Sequence, residues 1–157
     1  MIVMIGIYSF YLLLFCAAIL AAQNNVDTLR LNSSYRELVR NPKSAELQKE
    51  SLDAFPSTWK SFWGTYDFYP EKDLTMYELG YDHIVNGLGN LITLLPDSVY
   101  CDKLIELGIS GRWEADVPNY LQMVVRKTMQ KKPEVMFQRL SLLRQRDVFP
   151  FPVFFLS

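Results

Sequence analysis

Apolar side chains recur along this chain at helical spacing, and proline or glycine cuts each run short. The clearest case lies between Leu74 and Met129. There Tyr77, Tyr81, Ile84, Leu88, Leu91 and Leu95 step at 4, 3, 4, 3 and 4 residues, which places them on one face of a helix. Pro96 then turns the chain into a second helix, with Tyr100, Leu104 and Leu107 at helical spacing up to Gly108. The chain turns again through Gly111, and a third helix is expected to start near Asp116 as its cap. No run shows sustained alternation of a strand. The expected fold is all-α: a single compact domain of about six short helices, with helix pairs able to stack as hairpins. No fixed-length repeat accompanies them.

The flanks read the same way. Ser33 or Ser34 is expected to cap a first helix, SSYRELVR, preceded by a flexible leader over residues 23–32. Pro42 suits the first turn of a second helix, PKSAELQKESLDAF, because its missing N–H costs nothing there. Ser57 or Thr58 can cap a third, whose Trp59, Phe62, Trp63 and Tyr66 form an aromatic stripe expected to be core. Late in the chain, Val117, Tyr120, Leu121, Val124 and Val125 face one way and Arg126 and Lys127 the other, the second set read as a solvated face. Pro133 opens a last helix with Met136, Phe137, Leu140 and Leu143 inward. The ending DVFPFPVFFLS is expected to lie as an extended apolar tail across the helices, since left in water it would aggregate. Each interior glycine of the central helix (Gly80, Gly87, Gly89) costs roughly 0.5–1 kcal/mol relative to alanine. Close approach of a neighbouring element is the natural compensation.

Residues 1–22 carry no charge, and Ile2–Ala22 is an apolar run broken by Gly6, Tyr8 and Ser9. It reads as a signal peptide ending near Ala22, or as a membrane anchor if uncleaved. Everything beyond would then sit outside the cytoplasm, in the periplasm or cell envelope. Cys16 suggests a lipid attachment site, but Phe15 before it is a poor fit. With Cys16 removed, Cys101 is the only thiol left, which rules out an internal disulfide and points to a buried inert side chain.

With 157 residues, half of them apolar, the chain can build a core without covalent staples. Its net charge is −1, far from the basic extreme of nucleic-acid binders. The distribution is uneven. Tyr66–Pro118 holds three basic and ten acidic residues, whereas Asn119–Ser157 holds seven basic and two acidic ones. An acidic middle of this kind either solvates one face or docks a basic partner.

Chemistry is scarce. One histidine and one mature cysteine cannot build a zinc site, and no cofactor motif is present. His83 is the only ordinary base near neutral pH, and its place beside Ile84 suits a structural role. Gly108-Ile109-Ser110-Gly111 lacks the glycine at 112 of a nucleophile elbow, since Arg112 stands there. Trp113-Glu114-Ala115-Asp116 sets an aromatic beside two acids, as a small cell-wall hydrolase would need. The same residues suit a partner-binding rim, with Asp102 and Glu106 as the other candidates. No residue is assigned a catalytic or metal-binding role.

At FPSTWKSFWGTYDFYP (Phe55–Pro70), YDHI (Tyr81–Ile84), DKLIELGISGRWEADVPNYLQ (Asp102–Gln122) and the terminal FPVFFLS, the chain resembles small exported helical proteins of gut-type bacteria. Some of those resemble immunity proteins that block toxins injected by neighbouring cells. Asp27-Thr28-Leu29 and Asp97-Ser98-Val99 also resemble the Asp-[Ser/Thr]-aliphatic sites such bacteria O-glycosylate. The resemblance implies a non-enzymatic protein whose partner is a toxin or an envelope component. An envelope structural or assembly subunit is the alternative. Nucleic acid is not expected, and membrane contact is expected only through an uncleaved N-terminal segment.

Overall fold

The computed structural model describes residues 26–67, 76–109, 111 and 116–143. Of these, 79% are helical and none lies in a strand, so the all-α expectation holds. Helix α1 spans Thr28–Arg40, α2 Ala45–Ala54, α3 Trp59–Tyr66, α4 Asp97–Gly108, α5 Asp116–Lys131 and α6 Pro133–Ser141. Between α3 and α4 come a short 3₁₀ turn, Tyr77–Leu79, and a π-helix, Asp82–Leu91. The signal or anchor segment, Trp113, Glu114 and the C-terminal tail lie outside the described residues. No helix among the described residues is long and apolar enough to cross a membrane.

Side-chain caps account for the starts of the first three helices. The Asp27 side chain accepts from Arg30 N at 2.9 Å, so α1 begins ahead of the serine cap expected from sequence and takes in half of the supposed leader. Ser34, one of the expected caps, is instead buried and donates to Leu31 O. Ser44 caps α2, with Pro42 left in the preceding turn. Thr58 and Ser61 form a reciprocal capping box at the start of α3, as the sequence suggested for Thr58.

The central element departs most from expectation. A continuous α-helix to Leu95 is replaced by i→i+5 turns that stop at Leu91. Wider turns move side chains off a 3.6-residue stripe. Ile84 and Leu88 are buried, but Tyr81 is 48% exposed, and Tyr77, Leu91 and Leu95 are only half-buried. The helix ends where buried Gln48 takes over its next donors. Gln48 Oε1 accepts from Thr93 N at 2.8 Å and from Leu94 N at 2.7 Å, while its Nε2 donates to Pro42 O.

The glycines allow the close approaches that were expected. A Cβ on Gly87 would lie 3.1 Å from Tyr35 Cδ2, and one on Gly89 would lie 2.8 Å from Val124 Cγ2. The π-helix therefore packs against both α1 and α5, and α4 packs against α6. These non-sequential contacts close one core around Leu38, Phe62, Tyr66, Ile84, Leu104 and Leu121, in place of an open stack of hairpins. Phe62 and Tyr66 are fully buried, with Trp59 stacked at the margin. Phe137, expected to point inward, is 62% exposed, because the core face of α6 runs through Met136 and Leu140 and Phe137 falls beside it.

Candidate functional site

The last residues of α2, the loop Phe55–Thr58 and one face of α4 surround a cleft of about 350 Å³. Its polar lining is Asp53, Ser57, Asp102, Lys103 and Glu106. Asp102 and Glu106 are one helical turn apart on α4, so two of the five residues expected at a binding rim share this cleft. Asp116, a third, opens α5, while Trp113 and Glu114 are outside the described residues. The cleft adjoins a second hollow of about 280 Å³, which shares Asp53 and Ser57 and extends to Asp27 and Arg30.

Lys103 forms the floor and was not anticipated. It is 8% exposed. Its Nζ donates to Phe55 O at 2.8 Å and to the Ser57 hydroxyl oxygen at 2.9 Å. Phe55 is the C-cap of α2, where unpaired carbonyls and the negative end of the helix favour a cation. Burial nevertheless pushes the ammonium down to about 8, with Glu106 and Asp53 acting in opposition. One signal was available in sequence: Lys103 lies three residues after Tyr100 and four before Leu107, in phase with the buried face.

The acidic middle segment is partly answered by the basic last third of the same chain. Arg139 grips Asp102 with two bonds of 2.6 Å, from Nε and Nη2. Lys132 pairs with Asp97, and Lys49 with Asp53 across one turn of α2. Two acids of the middle segment, Asp97 and Asp102, are thus paired with cations of the last segment. Glu106 remains exposed at the rim, Asp53 is also exposed, and Asp102 is half-buried.

The other candidate groups are buried. Cys101 is fully buried, and burial raises its thiol above the ordinary range, so it is a weak nucleophile. His83 is 2% exposed; its Nδ1 lies 3.1 Å from the Tyr66 hydroxyl, and Nε2 has no hydrogen-bond partner among the described residues. Burial pulls its pKa down to about 4, so it stays neutral near pH 7. No group of three or more His, Cys, Asp or Glu among the described residues could hold a metal. Compared with protein-family models, curated proteins and solved structures, the chain matches none.

Proposed function

We propose that the chain is an exported, non-enzymatic binding protein that covers a basic surface of a protein partner, in the manner of an immunity or inhibitor protein neutralising a toxin. The observation that carries this reading is the convergence of Asp53, Asp102 and Glu106 on one open cleft. A lysine or arginine entering there would meet Glu106, and would share Asp53 with Lys49 and Asp102 with Arg139. Lys103 would sit below them, held away from the mouth by Phe55 O and Ser57. Export rests on the uncharged run Ile2–Ala22. A role as an envelope subunit would use the same kind of surface with a different partner.

The test is capture of a stoichiometric partner from cells expressing the neighbouring genes, repeated with Asp53→Lys and Glu106→Lys. Placing like charge against a basic partner is expected to weaken capture by roughly tenfold or more, and high salt should release the partner. Undiminished capture by both variants would remove the cleft from the docking surface.

A further inference from the structure

A separate groove of about 470 Å³ lies between the π-helix and α5 and shares no residue with the Lys103 cleft. Its α5 wall carries Asn119, Gln122, Arg126, Lys127 and Gln130 at helical spacing, and of these sequence alone places Arg126 and Lys127 on a solvated face. Val85, Gly89 and Asn90 form the facing wall, with Val85 and Asn90 one i→i+5 turn apart. The walls are built to fit each other. The 2.8 Å approach to Val124 leaves no room for a side chain at Gly89, and Lys127 Nζ donates to Gly89 O and to Asn90 Oδ1. Turns of the π type are rare, and they are frequent at functional sites.

The lining has a definite chemistry. Four carboxamides and two cations face the groove, and none of the described residues that line it is a carboxylate. Each carboxamide offers both donors and an acceptor, which suits hydroxyl groups. Guanidinium and ammonium groups suit a carboxylate or phosphate. Val85, Met123 and Val124 add apolar surface for the C–H faces of such a molecule.

We propose that this groove binds a small hydroxylated organic anion, a sugar acid or sugar phosphate, with its anionic group on Arg126 and Lys127 and its hydroxyls on the carboxamides. Lys127, already tied to Asn90, positions that amide as well as supplying charge.

Titration calorimetry on the full chain with glucuronate, glucose 6-phosphate, glucose and inorganic phosphate tests this. Saturable binding of glucuronate or glucose 6-phosphate is expected, roughly tenfold or more tighter than binding of glucose or of phosphate alone. Which of the two binds more tightly identifies the anionic group. Arg126→Gln and Asn119→Ala should each weaken binding by about tenfold with an unchanged circular dichroism spectrum, and Glu106→Gln in the other cleft should not. Glucose binding as tightly as the anions would overturn the role of the cations. Phosphate binding as tightly as the sugar phosphate would overturn the role of the amides. Absence of saturable binding by all four would overturn the proposal.

Discussion

His83 shows how a single buried group ties stability to pH. Its ring packs 4.8 Å from that of Tyr35 and reaches the Tyr66 hydroxyl, in surroundings that favour the neutral form. Burial is the main cause of its lowered pKa; nearby Asp82 opposes and Arg36 assists. The folded pKa of about 4 lies below the ordinary 6.5, so between these values the unfolded chain binds more protons than the folded one. Stability is therefore undiminished above pH 6.5 and falls as pH drops toward 4, by up to about 3 kcal/mol from this residue. Urea unfolding across that range should show the slope, and His83→Asn should flatten it relative to the wild type. An equal slope in both would assign the effect to carboxylates. Nothing local in the sequence marks His83 as half-satisfied, because its partner Tyr66 is 17 residues away.

Among the elements, the glycines separate backbone propensity from packing. Gly64 sits inside α3, and a Cβ there would meet nothing within 4 Å. Gly64→Ala should stabilise the protein by about 0.5–1 kcal/mol, since it removes only unfolded-state freedom. Gly89→Ala gains the same propensity but drives a methyl into Val124, and should lose about 1–3 kcal/mol net. Denaturant midpoints of the two variants should therefore shift in opposite directions. Caps at Thr58 and breaks at Pro96 and Pro133 were legible because each acts within one turn of chain. The π-helix was not. Whether a carbonyl bonds to the fourth or the fifth residue along depends on what presses against the turn, here Tyr35 and Val124.

At the scale of the molecule, opposite charges in the middle and last segments hold α4 against α6. The two hydrogen bonds that Arg139 donates to Asp102 span 37 residues of sequence. Asp102→Arg and Arg139→Asp should each lower the melting temperature, and the double exchange should recover part of the loss. Both side chains are about one-third exposed, so this coupling should shrink as salt is raised. Additive losses in the double variant would show that the pair contributes nothing.

The sequence by itself determined an all-helical chain cut at Pro42, Pro56, Pro96, Gly108 and Pro133, because helix periodicity and helix termination are local properties. It also marked Asp102 and Glu106 as neighbours, being one turn apart on a helix. Only the tertiary structure decided that Lys103 would be buried beneath them, that Gln48 would end the central helix, and that the polar face of α5 would become one wall of a groove. Each of those outcomes rests on contacts between residues 38 to 48 positions apart. A desolvated donor or acceptor takes whichever partner the packed core brings to it, and that choice is not written in local spacing.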